Sequence, residues 1–235
     1  MTLRYLWKLM LGLVIVFIIG GCSTKTDGSN ARNDAVEMDG PTISIKVGDH
    51  ELLTKPTDRS LSGNYRKGIT IMELLKGSNI ATLAEDNSSI LSIKNFSLGP
   101  GMDWELEMDG IIVGSADWNH IVGYDSQLVF TAKSKTNETP LQTVTLILNG
   151  GSVEVDLHYT YIMLFKEDLT VRDLLKSCSM VQFADDNKKV LSVNDYTPLS
   201  NEEWKLKVNG KQLLDDGMDM KLRPQDVLEV LLTLR

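Results

Sequence analysis

The chain reads as an α+β protein written twice in tandem. Two observations predict this: a shift of one hundred positions superimposes its apolar pattern without a gap for more than sixty residues, and each copy sets one capped helix among short alternating strands. A third is a repeated phrase, "MDWELEMDG" at Met102–Gly110 and "EEWKLKVNG" at Glu202–Gly210, in which a strand runs into a tight turn. Two copies of about ninety residues are two domains of ordinary size, residues 42–132 and 143–235, each a mixed sheet with one helix.

Each copy opens on a strand with alternating apolar residues, Ile43, Ile45 and Val47 or Val144, Leu146 and Leu148. A glycine-containing turn and a second strand follow. "TIME" and "TVRD" then place Thr70 and Thr170 as N-caps with Glu73 and Asp173 three residues on, a capping box that opens a helix whose "LL" begins the buried face. Acidic turns, Glu85-Asp86-Asn87 and Asp185-Asp186-Asn187, lead to the short strands "ILSI" and "VLSV". In the quoted phrase Trp204, Leu206 and Val208 alternate with Lys205 and Lys207, a half-buried strand, and Asn209-Gly210 is the pair a type I′ turn prefers because both central residues need φ > 0. Trp104, Leu106, Met108 and Asp109-Gly110 follow the same rule. A last apolar strand, "QLVFTA" or "VLEVLLTL", closes each unit.

Residues 1–21 stand outside this repeat. Arg4 and Lys8 precede an uninterrupted apolar run, Leu9 to Ile19, which is of signal-peptide length and too short for a membrane span of roughly 20 residues. The sequence Ile19-Gly20-Gly21-Cys22 resembles a bacterial lipobox, the recognition site of the lipoprotein signal peptidase. The resemblance implies cleavage before Cys22 and diacylation of its thiol, and two acyl chains suffice for stable anchoring. Residues 22–41 are polar, free of aromatics and rich in turn formers, a flexible tether. A second polar stretch, residues 133–142, links the two domains. The expected location is the cell membrane, lipid-anchored and facing the extracytoplasmic side.

Cleavage removes Arg4 and Lys8 and takes the formal charge from −8 to −10. Such a chain has no basic footprint for nucleic acid and is repelled by anionic headgroups, so the lipid is what holds it to the membrane. Cys178 remains as the one thiol and has no intramolecular disulfide partner. It follows the predicted helix where the first copy has Ser78, and reads as a structural thiol.

Trp-x-Leu-x-Val-Asn-Gly, followed after a polar loop by "MKLRPQDVLEV", is similar to the signature of the transcobalamin-C-terminal-like domain of bacterial surface proteins, a β-grasp module related to the soluble-ligand-binding β-grasp group. The resemblance implies two tandem β-grasp-like domains. In the second copy Pro224-Gln225-Asp226 stands where that family has Gly-Asp; in the first, Ser126 takes the place of Asp226, with Asp125 beside it as a substitute. Because the equivalent domain of the vertebrate vitamin B12 carriers helps cover cobalamin, the resemblance also implies an accessory small-ligand role, although the helical partner that completes that site has no counterpart here.

The copies disagree most at "SADWNHIVGYD", where Trp118 and His120 replace Met218 and Met220. Trp118, His120 and Tyr124 on an exposed loop are candidates for stacking on a sugar or peptide; the alternative is that Trp118 packs back on the sheet as Met218 does. Tyr161, in "YTYIMLF", is a further candidate, with sheet packing as its alternative. The acidic turns carry oxygen ligands without EF-hand spacing, in a place where a turn wants Asp and Asn. No metal-spaced histidine cluster, nucleophile elbow or glycine-rich phosphate loop occurs. The expectation is therefore a non-catalytic protein without cofactor or resident metal, a lipid-anchored binding module for an envelope protein, a glycan or a small molecule. A structural or assembly component of the envelope is the competing expectation.

Overall fold

The computed structural model describes residues 40–77, 80–136, 140–184, 188–214 and 217–235. Ile19, Gly20, Gly21, Cys22 and the tether expected to follow them lie outside these, as does the turn Asp185-Asp186-Asn187. The described residues belong to one compact unit, Met38–Arg235. It is α+β, mostly strand, with parallel and antiparallel pairs in the same sheets.

In the first copy β1 (Thr42–Val47) and β2 (His50–Glu51) form a hairpin, followed by a one-turn helix α1 (Pro56–Arg59) and by α2 (Ile71–Gly77). The short strands β3 (Ala81–Leu83), β4 (Ile90–Ile93) and β5 (Phe96–Leu98) lead to the Trp strand β6 (Met102–Met108), its hairpin mate β7 (Ile111–Ile112) and β8 (Gln127–Ser134). The second copy repeats the plan with β9 (Thr143–Asn149), β10 (His158–Leu164), α3 (Val171–Ser177), β11 (Val181–Phe183), β12 (Val190–Val193), β13 (Glu202–Val208), β14 (Lys211–Gln212) and β15 (Val227–Leu234). Strand order is β2-β1-β8-β6-β7 in one and β10-β9-β15-β13-β14 in the other, so corresponding strands occupy corresponding places. At each centre the first and last strands pair in parallel, Ile43 opposite Leu128 and Leu146 opposite Leu228. The helix α1, which replaces the middle of β10 in the first copy, was not anticipated; Pro56 at its first turn fixes a helical φ and withholds a ladder donor.

Both helices start as their sequences dictate. The Thr70 hydroxyl accepts from the Glu73 amide at 3.2 Å while Glu73 accepts from the Thr70 amide at 3.0 Å, and Thr170 with Asp173 forms the same box at 3.1 and 3.2 Å. Burial at Ile71, Leu74 and Leu75, and at Val171, Leu174 and Leu175, follows the helical spacing. Both hairpin turns have positive φ at their central residues, 53° and 84° for Asp109-Gly110, 50° and 77° for Asn209-Gly210.

Each copy has its own apolar core, and the two meet along one strand. β5 pairs in parallel with β10, Thr160 opposite Phe96 and Ile162 opposite Leu98, which makes one eight-stranded sheet out of pieces of both copies. Tyr161 and Met163 face the second core, whereas Ile162 on the opposite face is buried in the first. Gly99 permits the approach: a Cβ there would stand 2.8 Å from Met163 Cγ and 2.9 Å from the Tyr161 hydroxyl.

Candidate binding grooves along the Trp strands

The tip of each Trp hairpin is tied to the start of the closing strand by one carboxylate. In the second copy Asp226 accepts from the Asn209 side-chain amide and from the Arg223 backbone amide, both at 2.7 Å, while Asn209 Oδ1 accepts from the Val227 amide at 2.9 Å. In the first copy the acid has changed sides. Asp109 accepts from the Gln127 amide at 2.7 Å and from the Ser126 hydroxyl at 2.8 Å, and Ser126 Oγ accepts in turn from Gly123. The residue that makes good the loss of Asp226 is therefore Asp109 across the strand pair, and not Asp125, which lies exposed.

These ties fix the register of the Trp strands, and the register leaves one edge open. Asn209 donates to Val227 O and Arg235 to Asn201 O, so odd-numbered residues of β13 bond to β15 and even-numbered ones turn their N–H and C=O outward. On that outer side Glu202 donates to Leu199 O, Leu206 accepts from Leu213, and Val208 pairs with Lys211 of the two-residue β14. Trp204, between them, has no backbone partner for its N–H or its C=O among the described residues. β6 repeats this: Met102 donates to Gly99 O, Leu106 accepts from Val113, and among the described residues the outward N–H and C=O of Trp104 have no backbone partner. Open strand edges are surfaces that proteins ordinarily cover or blunt.

A groove runs along each open edge, at corresponding positions. That of the first copy encloses about 270 Å³ between Ser88–Ile90, the β6 edge and Ile112–Ser115, with Trp118 at its wall. That of the second encloses about 440 Å³ between Lys188–Leu191, the β13 edge and Gln212–Leu214, with Met218 where the first has Trp118. Trp104 and Trp204 are half-buried in the walls, and Trp204 packs edge-to-face on Tyr196 with ring centroids 6.3 Å apart. Their charges differ in sign. Among the described residues, Asp103 and Glu105 are the charged residues lining the first groove, whereas Lys188, Lys189, Lys205 and Arg235 outnumber Glu202 and Glu203 in the second. The Glu202 carboxylate, buried, accepts from the Tyr196 hydroxyl at 2.8 Å and the Leu199 amide at 2.9 Å. The bond to Glu202, reinforced by burial, raises the Tyr196 hydroxyl above the ordinary tyrosine range.

The residues singled out in the sequence are scattered over this frame. Trp118 is 4 % exposed and packs in the first core, as Met218 does in the second. Its carbonyl accepts from Met72 and that of His120 from Ile71, so this loop closes the N-terminus of α2, as Met220 does for α3 by accepting from Val171. The His120 side chain is exposed. Tyr124 is 48 % exposed and stands edge-on to Tyr65 at 5.8 Å. Tyr161 is buried in the second copy, with its hydroxyl donating to Ser177 O at 3.2 Å, and burial raises its titration above the usual range. It lines a third cleft, about 460 Å³, at the junction of the copies beside Gly99, Lys135 and Cys178. Trp118 and Tyr161 thus belong to different clefts, and neither His120 nor Tyr124 lines any of the three. The Trp104 and Trp204 grooves were missed because "WELEM" and "WKLKV" alternate like any half-buried strand; the open edge arises from the shortness of β7 and β14, which alternation does not encode.

The Cys178 thiol is buried, and burial pushes its pKa up against a hydrogen bond from the Met180 amide, which disfavours the nucleophilic thiolate. Asp86 accepts from both the amide and the hydroxyl of Ser88, at 2.9 and 2.7 Å, closing its own turn. Among the described residues no three His, Cys, Asp or Glu side chains converge as metal ligands, and no helix is long and apolar enough to cross a membrane.

No family model and no curated protein matches the chain. Among solved structures it is similar to a crystal structure from Ruminococcus gnavus described as "a putative metal binding protein", at 16% identity and a TM-score of 0.32, over 40% of this chain and 98% of that one. So low a score supports no inference about this chain.

Proposed function

We propose that this is a lipoprotein, anchored through Cys22 after cleavage at Ile19-Gly20-Gly21, whose two β-grasp-like modules face the extracytoplasmic side and bind a partner there without catalysis. The observation that carries the binding reading is the pair of grooves at corresponding positions, each exposing the unpaired backbone of a half-buried Trp. The shared strand order and the common capping boxes support reading the copies as two versions of one module. The lipobox and the net negative charge support an anchor supplied by lipid and not by the protein surface.

A rigid spacer in the envelope is the second reading, favoured by one feature: β10 contributes to both cores, which joins the copies through packing and hydrogen bonds together. Photo-cross-linking in intact cells, with a benzophenone amino acid in place of Leu214 and separately of Ile112, distinguishes the two. A defined adduct that disappears when Trp204→Ala or Trp104→Ala is added supports binding at the grooves. Absence of any groove-dependent adduct overturns it in favour of the spacer.

A further inference from the structure

We propose that the second groove takes an extended acidic peptide as an added strand along β13, an inference that rests on reading the copies as binding modules. Strand addition needs main-chain donors and acceptors at alternate residues of an exposed edge. Among the described residues nothing pairs with the Trp204 N–H and C=O or with the Leu206 N–H, the Leu206 carbonyl alone being engaged by Leu213, so these groups are offered to a strand. Both residues turn the same face to the incoming strand, where Trp204, Leu206, Leu213 and Met218 form an apolar wall. Alternate apolar side chains of the peptide would lie against it, as period two requires.

The rim selects the charge of the remaining side chains. Among the described residues Lys188, Lys189, Lys205 and Arg235 line the groove against two acids: Glu202 is engaged by Tyr196 and Leu199, and Glu203 is shared by Lys205 at 3.2 Å and Arg235 at 3.8 Å, which leaves this lining with two more cations than acids. An acidic strand therefore meets complementary potential, and a basic one meets repulsion. Leu191, Leu199 and Leu214 stand 47, 63 and 80 % exposed around the mouth, apolar area that an occupant would cover. The groove at Trp104 is an internal comparator: it has the same backbone edge, but the charged residues lining it among those described are Asp103 and Glu105, paired respectively with Lys135 at 3.1 Å and Lys133 at 3.4 Å.

The test uses the full chain in detergent and fluorescein-labelled acetyl-Glu-Val-Glu-Val-Glu-Val-amide, read by anisotropy near physiological salt. Binding is expected, weakened at least about tenfold when lysine replaces glutamate in the peptide, and by a similar factor when alternate peptide nitrogens are methylated on the edge that would pair. Trp204→Ala, and separately the surface double variant Lys189→Glu, Lys205→Glu, should each weaken it about tenfold, with Trp104→Ala without effect. Equal affinity for the N-methylated peptide would show side-chain docking without strand pairing and overturn the proposal, as would equal affinity for the lysine peptide. Self-association of the chain that Lys189→Glu with Lys205→Glu abolishes, and that the peptide does not reverse, would make a second copy the occupant and overturn it too. Failure of every peptide to bind, with Trp204-dependent cross-linking intact in cells, would sink strand addition alone and leave the module reading standing.

Discussion

The Leu199 amide donates to the Glu202 carboxylate at 2.9 Å, the bond that the corresponding Gly99 amide makes at 2.7 Å to Ile162 O of the following copy. The first copy thus satisfies this donor by pairing onward, and the second satisfies it internally with a residue that replaces Met102. Leu199, where the first copy has Gly99, carries the side chain that close approach of another strand forbids. The second copy thereby caps with its own carboxylate the donor that the first copy uses to pair.

Glu202→Met restores the residue of the first copy without the strand that accompanies it there. The Leu199 amide and the Tyr196 hydroxyl lose their acceptor, so urea unfolding should show a loss of about 1–3 kcal/mol. Met102→Glu should cost more, because it buries a carboxylate in the first core. Unchanged stability of Glu202→Met would refute the assigned role.

Gly99→Ala places a methyl against Met163 Cγ and the Tyr161 hydroxyl, and a destabilisation of about 1–3 kcal/mol is expected by the same assay. Leu199→Ala, at the equivalent exposed site, should stay within about 0.5 kcal/mol. Equal tolerance at both positions would mean that the junction is looser than its packing indicates.

Glu51 predicts a pH dependence. Partial burial opposes its ionisation, but bonds from the Ser44 hydroxyl and from the Leu53 and Ile45 amides at 2.9 and 3.1 Å, with Arg59 nearby, outweigh it and hold the carboxyl below its ordinary value of 4.5. A lowered folded pKa contributes stability that is fully present above about pH 4.5 and is lost as the pH falls through the folded value. Glu51→Gln should therefore be less stable than the parent at pH 7, by about 1 kcal/mol after solvent screening, and the gap should close in acid. A gap constant from pH 7 to pH 3 would show that the charge is not involved.

Lipid attachment is tested in cells fed an alkyne fatty acid. The parent chain should label and fractionate with membranes, and Cys22→Ala should do neither; labelling of Cys22→Ala would place the modification elsewhere or reveal a different anchor.

Much of the architecture was legible because it is local. Thr70 and Thr170 announce the helices, Asp109-Gly110 and Asn209-Gly210 the hairpins, and the period of two at Ile43, Ile45 and at Val144, Leu146, Leu148 the central strands. The fusion of the copies through β5 and β10 was not read, although it left a trace. In "YTYIMLF" the apolar residues run on without strict alternation because Ile162 serves one core while Tyr161 and Met163 serve the other. Trp118 drew attention for differing from Met218, yet both bury the same spot, a size change within a core. Asp109 and Ser126 exchanged roles with Asn209 and Asp226, a swap between positions seventeen residues apart that only the hydrogen bonds expose.

Residue-resolved amide hydrogen exchange of the uncomplexed chain tests the central claim, an open strand edge at each Trp. The amides of Glu203, Lys205 and Lys207, which face β15, should be protected, and those of Trp104 and Trp204 should exchange much faster, with Trp204 slowed when the acidic peptide is added. Protection of the Trp204 amide equal to that of Lys205 in the uncomplexed chain would contradict the account.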